Sequence, residues 1–275
     1  MMQHAYYRYT REELFRNSPK MPVQILPDNA AVFRALAEEM ADEIARHNEK
    51  GERTVFICPV GPTGQYPYFV ELVNERKISL HNVWFFNMDE YLEDDKTWVS
   101  IDHPLSFRGF MQRTVYDKID PALVMPPEQR VFPDPLDPAA IGKKIEELGG
   151  VDICFGGIGI NGHVAFNEAD PSKTNAQFLE LPTRVLEISR ETRAANAIGD
   201  LNGALEDMPH YCVTIGMKQI FAARKIRLGC FRNWHRAVVR RAMYGEKTAG
   251  FPVSLLQDHP DILLRFTDYV AALED

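Results

Sequence analysis

Hydrophobic positions along the chain repeat with two different periods, one typical of helices and one typical of buried strands. Val32, Leu36, Met40 and Ile44 recur at helical spacing in an otherwise polar stretch. The segment TVFICP that follows is apolar after its first residue, as expected of a strand covered on both faces. The same alternation continues toward the C-terminus, so strands and helices are predicted to follow one another in turn.

Strands and helices that alternate in this way favour an α/β fold with a mostly parallel, Rossmann-like sheet and helices on both faces. A chain of 275 residues can bury one large core, so we predict a single domain over residues 1–275. The predicted helices are Ala30–Lys50, Tyr68–Glu75, Ser106–Ile119, Ala139–Leu148 and His235–Tyr244. The predicted strands are Thr54–Pro59, Val83–Phe86, Val151–Phe155, Arg184–Ile188, Tyr211–Ile215, Lys225–Cys230 and Ile262–Phe266.

Charge and composition exclude several classes of partner. The net charge is −8 without a basic run, which argues against binding to nucleic acid or to an anionic membrane. No apolar stretch approaches about 18 residues and the N-terminus has no signal-peptide pattern, so we expect a cytoplasmic protein. Cys58, Cys154, Cys212 and Cys230 have no CxxC spacing and are predicted to be reduced core residues.

Polar motifs follow three of the predicted strands: GPTG at Gly61–Gly64, NMDEY at Asn87–Tyr91 and GGIGINGH at Gly156–His163. The carboxyl ends of parallel strands meet at one edge of a sheet, where ligands bind, so the three motifs should converge. GPTG offers backbone amides, the Thr63 hydroxyl and a helix N-terminus near Pro67, which suits an anion. The alternative is a structural turn around Pro62.

The acidic and imidazole groups of these motifs suggest proton transfer. Asp89 and Glu90 follow an aromatic strand and are either catalytic carboxylates or an acidic pair at a helix N-terminus. His163 and Glu168 can exchange protons near neutral pH, or they are a core histidine and a surface glutamate. Because the motifs converge, we predict acid–base chemistry on a phosphorylated small molecule.

Longer stretches of the chain are similar to a known family. Over roughly residues 30 to 265 the chain resembles the glucosamine-6-phosphate deaminase/isomerase family. The first twenty or so residues have no counterpart in it, so residues 1–25 are predicted to be an N-terminal extension. The matching stretches are PTG at Pro62–Gly64, FNMDEY at Phe86–Tyr91, HPLSFRGFMQR at His103–Arg113, GGIGINGHVAFNE at Gly156–Glu168, ETRAAN at Glu191–Asn196, TIGM at Thr214–Met217 and SLLQDHPD at Ser254–Asp261.

The resemblance implies a role for each matching residue. Asp89 would move a proton between C2 and C1 of the sugar through an enolamine, and His163, held by Glu168, would open the pyranose ring. Arg193 would bind the phosphate group. The loop residues implied in binding are Pro62, Thr63, Gly64 and Gly159. Such chemistry needs no cofactor, and His163 and Glu168 lack the HExxH spacing of a metal site.

This chain departs from the family pattern at several of these positions. Asn161 stands where the family has aspartate, which is expected to alter ring opening because an amide carries no charge. Gln65 and Tyr66 replace residues with almost no side chain and are expected to narrow or reshape the pocket. The phosphate-binding lysine falls on His235 in an ungapped alignment, or on Arg236 with a shift of one residue.

Three functions follow from these residues. A deaminase/isomerase would convert a 6-phospho amino sugar to a ketose 6-phosphate and ammonia. A hydrolase of the 6-phosphogluconolactonase type would need no base for a C–H proton, and a non-catalytic sugar-phosphate sensor would bind without turnover. The expected partner is in each case a small sugar phosphate. The resemblance also suggests a homo-oligomer.

Overall fold

The computed structural model describes residues 4–17 and 19–273; residues 1–3 and Ser18 of the predicted extension, and residues 274–275, lie outside the described part. The strands of the main sheet are β1 (Val23–Leu26), β2 (Thr54–Cys58), β3 (Val83–Asn87), β5 (Arg130–Val131), β6 (Ile153–Gly156), β9 (Lys225–Cys230) and β10 (Ile262–Thr267). A second sheet contains β4 (Asp89–Leu92), β7 (Arg184–Glu187) and β8 (Tyr211–Thr214).

The main sheet has seven strands within the described residues, in the order β1-β10-β9-β6-β2-β3-β5, and every neighbouring pair is parallel. The predicted α/β fold is therefore confirmed. The helices are α1 (Glu13–Arg16), α2 (Asn29–Lys50), α3 (Gln65–Arg76), α4 (Phe107–Met111), α5 (Ala139–Glu147), α6 (Asn175–Leu179), α7 (Arg190–Asp200), α8 (Met217–Phe221), α9 (His235–Tyr244) and α10 (Asp268–Ala271).

Hydrophobic cores lie on both faces of the main sheet, as the uninterrupted apolar run in β2 predicted. Val55 and Ile57 belong to the core that includes α5 and α9, whereas Phe56 and Cys58 belong to the core that includes α2 and α3. Successive side chains of a strand point to opposite faces, so β2 is covered by helices on both sides.

Two predicted strands belong to a different sheet from the one expected. β7 and β8 form an antiparallel sheet with β4 and do not join the parallel sheet. The hydrophobic pattern identifies each strand but not its partner, which depends on how the connections run. β4 begins two residues after β3 ends, so the polar segment that follows β3 is itself a strand, which was not predicted.

The segment predicted as an extension contributes to the fold. β1 pairs with β10 at the edge of the main sheet, and the side chains of Leu14 and Met21 are fully buried in the core. The buried guanidinium of Arg240 donates hydrogen bonds to the carbonyl oxygens of Tyr9 and Ala271, which joins the two ends of the chain. No helix among the described residues is long and apolar enough to cross a membrane.

Candidate active site

A cavity of about 300 Å³ opens where β2, β3, β6 and β9 end. Its walls are the turn 61–64 after β2, residues 88–89 after β3, the loop 157–163 after β6 and the loop 229–235 after β9, with α7 along one side. The three predicted motifs therefore meet at one site. Of the predicted site residues, the cavity lining contains Pro62, Thr63, Gly64, Asp89, Gly159, His163 and His235.

Asp89 and Glu90 point in opposite directions because they are adjacent on β4. The Asp89 carboxylate faces the cavity and accepts no hydrogen bond from any described residue, although the residue is only 6% exposed. Glu90 is fully buried and accepts hydrogen bonds from the backbone N–H groups of Phe107 and Arg108 at 2.9 and 2.8 Å. Glu90 is thus the helix N-terminal acid, at the start of α4, and Asp89 is the carboxylate available to a ligand.

The environment of Asp89 makes it a stronger base than an ordinary aspartate. Burial raises its pKa well above the usual value, and the negative charge of Glu90 raises it further. A carboxylate with a raised pKa has a greater affinity for the proton it removes, provided that the pH keeps it ionised.

Asn161 connects His163 to Glu168. The Asn161 amide nitrogen donates a hydrogen bond to Glu168 Oε2 at 2.6 Å, and its carbonyl oxygen lies 2.8 Å from His163 Nδ1. Since a carboxylate only accepts hydrogen bonds, it fixes the orientation of the amide, and the amide oxygen then requires a proton on Nδ1. Nε2, which has no partner among the described residues, is left with its lone pair.

The resemblance implied that Glu168 holds His163, but Glu168 makes no direct hydrogen bond to it. Its Oε2 lies 3.8 Å from His163 Nδ1, which is beyond hydrogen-bonding distance, because the side chain of Asn161 lies between them. Burial lowers the pKa of His163, and the negative charge of Glu168 opposes this shift. The imidazole is accordingly neutral near pH 7, with Nε2 as a proton acceptor.

Helix α7 supplies a further contact to this histidine that sequence reasoning missed. Thr192 Oγ1 lies 3.2 Å from His163 Nδ1 and accepts a hydrogen bond from Ser189 Oγ at 3.0 Å. Ser189 is the N-cap of α7 and also accepts a weak hydrogen bond from Asn161 at 3.4 Å. The S-x-x-T spacing at the start of a helix was a visible capping signal, but nothing in it pointed to His163.

The glycines of the two loops permit close approaches. A Cβ atom on Gly159 would lie 1.9 Å from His163 Cε1, so the imidazole lies directly over this residue. A Cβ atom on Gly64 would lie 2.3 Å from the ring of Phe33. Any side chain at either position would displace a wall of the cavity.

The turn after β2 leads directly into α3, which has no side-chain cap. The Tyr66 N–H group donates to the carbonyl oxygen of Thr63 at 3.1 Å and Pro67 has no N–H group, so the N–H groups of Gly64 and Gln65 are the ones left for an anion among the described residues of this turn. Gln65 and Tyr66 were expected to narrow or reshape the pocket, and they do not narrow it. Gln65 Nε2 donates to the carbonyl oxygen of Pro62 at 2.9 Å, and the Tyr66 hydroxyl donates to that of Pro59. Both side chains are buried beneath the turn and neither lines the cavity.

Arg193 does not occupy the predicted phosphate position. It lies outside the cavity lining, and its guanidinium donates weak hydrogen bonds to the carbonyl oxygens of Leu205 and Met208 at 3.5 and 3.3 Å. On α7 the cavity is lined instead by Ala195, Asn196 and Asp200. Helix α7 was not among the predicted helices, and the ETR match carried no information on which face of it each side chain occupies.

His235 lines the cavity but cannot supply a positive charge. Its Nδ1 accepts hydrogen bonds from the backbone N–H groups of Phe231 and Arg232, and Nε2 donates to the carbonyl oxygen of Ile158 at 2.9 Å. Burial lowers its pKa to about 3, so the imidazole is neutral and connects the loop after β9 to the loop after β6. The alternative, Arg236, donates to the carbonyl oxygen of Tyr269 and lies outside the cavity lining.

Arg232 is the only lysine or arginine among the described residues that line the cavity. Its guanidinium lies against Gly199 in the last turn of α7, where a Cβ atom would be 2.3 Å from one terminal nitrogen. The neighbouring Asp200 has a pKa raised by burial, and Arg232 opposes that shift. Sequence reasoning missed Arg232 because it precedes the aligned position by a few residues.

No group of three or more histidine, cysteine, aspartate or glutamate residues in the described part of the chain could hold a metal ion. The four cysteines are buried and unpaired, as predicted.

No protein-family model matches the chain. Comparison with individual proteins finds relatives that share one name. Glucosamine-6-phosphate deaminase from Hahella chejuensis is 33% identical over 219 residues, which cover 78% of this chain and 77% of the relative. The enzyme from Phocaeicola vulgatus is 30% identical over 244 residues, covering 87% and 88%.

Solved structures agree with these relatives. A monomeric glucosamine-6-phosphate deaminase superposes with a TM-score of 0.78 at 26% identity, covering 92% of this chain and all of the other. A 6-phosphogluconolactonase from Shewanella baltica shares the fold, with a TM-score of 0.64 at 14% identity over 90% and 97% of the two chains. On sequence identity and coverage together, the chain belongs to the glucosamine-6-phosphate deaminase family.

Proposed function

We propose that this protein converts a 2-amino-2-deoxyhexose 6-phosphate to a ketose 6-phosphate and ammonia. The observation that carries the proposal is the unpaired, buried carboxylate of Asp89, in one cavity with the neutral imidazole of His163. A base that removes a C–H proton must be close to the substrate and shielded from water, and Asp89 lines the cavity and is buried.

His163 acts first, on the cyclic sugar. Nε2 accepts the proton of the C1 hydroxyl and returns it to the ring oxygen as the C1–O5 bond breaks, which gives the open-chain aldehyde. Asn161 keeps the proton on Nδ1 during this transfer and thereby keeps Nε2 available.

Asp89 acts next. It takes the proton from C2, and O1 gains a proton as the enolamine forms. Asp89 then returns its proton to C1 while the amino nitrogen gives up one proton, which replaces the one taken up by O1, so that C2 becomes an imine carbon. Water then adds to C2 and ammonia leaves, which gives the ketose phosphate. Each step needs only proton transfer between these side chains and the substrate.

The phosphate group is bound between the N-terminus of α3 and Arg232. The helix terminus offers the backbone N–H groups of Gly64 and Gln65 and the positive end of its dipole, and the guanidinium provides a charge opposite to that of phosphate. Arg232 thereby replaces both predicted cations, Arg193 and His235.

The two alternative functions have less support from the site. A lactonase of the 6-phosphogluconolactonase type breaks no C–H bond and does not require a buried carboxylate base. The sensor interpretation rests on Asn161, Gln65 and the uncertain position of the phosphate-binding lysine. The Asn161 side chain still orients His163, Gln65 is turned away from the cavity, and Arg232 lines it.

The test is a panel of the 6-phosphates of glucosamine, galactosamine, mannosamine and N-acetylglucosamine, each scored for ammonia and for ketose phosphate. We expect both products from at least one free amine, and the panel also identifies the preferred epimer. Hydrolysis of 6-phosphogluconolactone without ammonia release would favour the lactonase, and binding without turnover would favour the sensor.

We also propose that the protein forms a homo-oligomer, on the resemblance alone. Residues of one chain suffice to line the cavity, and the similar structure cited above is of a monomeric enzyme, so assembly is a separate question. Size-exclusion chromatography with light scattering tests it.

A further inference from the structure

Tyr91 shares one wall of the cavity with Asp89. The two residues are separated by one position on β4, so their side chains lie on the same face, and both line the cavity. The Tyr91 ring is fixed by Phe107 and Phe166, whose ring centroids lie 4.9 and 5.4 Å away. The hydroxyl therefore has a defined position beside the base.

The Tyr91 hydroxyl accepts a hydrogen bond but has no acceptor for its own proton among the described residues. Asn196 Nδ2 on α7 donates to the hydroxyl oxygen at 3.0 Å, so the oxygen acts as an acceptor in this contact. No described residue accepts the hydroxyl proton in return. Burial raises the pKa of Tyr91 above its ordinary value, so the group stays protonated over the pH range of the enzyme. A buried donor without an acceptor is costly unless a ligand supplies one.

We propose that Tyr91 is a further catalytic residue, whose O–H group donates a hydrogen bond to O1 of the open-chain substrate while Asp89 removes the proton from C2. This inference rests on the proposed function. As the C2–H bond breaks, its electron pair forms the C1–C2 double bond and the electrons of the C1 carbonyl move to O1. The proton goes to Asp89, and the Tyr91 hydroxyl stabilises the negative charge that develops on O1.

Asn196 is a positioning residue in this arrangement. Its amide group donates a hydrogen bond to the hydroxyl oxygen of Tyr91. The O–H bond is thereby directed away from α7 and toward the cavity. Its effect on the reaction passes through Tyr91, so it should be smaller than that of the tyrosine itself.

The experiment compares Tyr91→Phe with Tyr116→Phe in the full chain. Tyr116 is a matched control, because it is also a buried tyrosine whose hydroxyl accepts from an asparagine amide, that of Asn87, but it lies outside the cavity lining. We expect Tyr91→Phe to lower kcat by about 100-fold or more, the usual effect of removing a donor to a developing oxyanion, with KM changed little.

A second readout follows the chemical step itself. With substrate deuterated at C2, the isotope effect on kcat/KM should increase in Tyr91→Phe, because proton removal becomes more rate-limiting. A merely structural role for the hydroxyl would not produce this increase. Tyr116→Phe should retain the wild-type kcat and isotope effect.

Three results would overturn the inference. They are a Tyr91→Phe rate within about threefold of wild type, an equal loss in Tyr116→Phe, or an unchanged isotope effect. If Tyr91→Phe does not fold, Asn196→Leu decides: a folded protein with wild-type kcat and isotope effect contradicts the proposal. Wild-type protein that releases no ammonia from any sugar of the panel instead overturns the proposed function, and this inference with it.

Discussion

At the scale of single residues, the site depends on small differences between neighbours. Asp89 and Glu90 have the same chemistry, yet one faces the cavity and the other caps α4, because consecutive strand residues point to opposite sides. Asn161 carries no charge, yet its amide oxygen fixes the tautomer of His163. At this scale, the role of each side chain is set by the partners that its polar atoms contact.

Replacement of Asp89 by asparagine removes the base and keeps its shape. We expect Asp89→Asn to lower kcat by about a hundredfold or more, while binding of an unreactive reduced sugar, a 2-amino-hexitol 6-phosphate, is nearly unchanged. In the wild type the rate should decline as the pH falls through the raised pKa of Asp89, so the acid limb should lie above the range of an ordinary aspartate. A variant with more than about a tenth of the wild-type rate would exclude Asp89 as the base.

Replacement of Asn161 by aspartate adds a negative charge beside His163. Because a neighbouring anion favours imidazolium, we expect Asn161→Asp to raise the pKa of His163 by about one unit or more, measured by NMR titration of the ring. We also expect higher activity on cyclic glucosamine 6-phosphate if ring opening limits the rate. An unchanged pKa would show that Glu168, now 2.6 Å from a second carboxylate oxygen, takes up a proton and cancels the added charge.

At the scale of elements, the cavity is assembled from loops at the ends of four strands and from one helix. Helix α7 contacts His163 through Thr192, Tyr91 through Asn196 and Arg232 through Gly199. One helix therefore touches the acid–base groups and the proposed phosphate site together. Its docking against the sheet is required for all of them to be in place.

The position of the phosphate-binding cation is a prediction at this scale. We expect Arg232→Gln to raise KM for phosphorylated substrate by about tenfold or more, because it removes a charge from the cavity, with a smaller effect on kcat. Arg193→Gln is the matched control and should change KM little, since its guanidinium contacts carbonyl groups outside the cavity. Steady-state kinetics on both variants decide which arginine binds the phosphate group. A large rise in KM for Arg193→Gln with little change for Arg232→Gln would identify Arg193 instead.

At the scale of the whole molecule, buried polar side chains connect segments that are distant in sequence. Arg240 ties the N-terminal segment to α10, and His235 ties the loop after β9 to the loop after β6. The second connection holds two walls of the cavity together. It depends on a neutral imidazole, since Nδ1 must accept two hydrogen bonds.

Stability should therefore decrease at acid pH. In the unfolded chain His235 takes up a proton below about pH 6.5, whereas in the folded protein its pKa is about 3. Between these values only the unfolded state is protonated, so the free energy of unfolding falls by up to about 1.4 kcal/mol per pH unit as the pH decreases.

A non-titrating replacement tests this dependence. Glutamine can accept from the loop N–H groups and donate to Ile158, so His235→Gln should unfold with a weaker dependence on pH. Urea unfolding of both proteins at pH 7, 6 and 5 measures the difference, since all other groups titrate in both. Parallel curves for the two proteins would mean that His235 titrates normally in the folded state.

The sequence by itself determined the class of fold and the location of the site. Hydrophobic periodicity identified five of the seven described parallel strands and the helices α2, α3, α5 and α9, because burial on one or both faces leaves a pattern in the chain. It did not identify β1, β5 or α7. The motifs at the strand ends identified Asp89, His163 and the turn Pro62–Gly64, because parallel strands bring their carboxyl ends together. These features depend on local pattern and on one general rule of sheet geometry.

Only the tertiary structure decided the partners and directions of side chains. It placed β7 and β8 in a second sheet, set Arg232 in the cavity in place of Arg193, and made His235 a neutral connection between loops. Each of these outcomes depends on contacts between residues far apart in the chain, for which a local pattern carries no signal. The chemistry of the site follows from those contacts, because they determine which polar atoms are left free to meet a ligand.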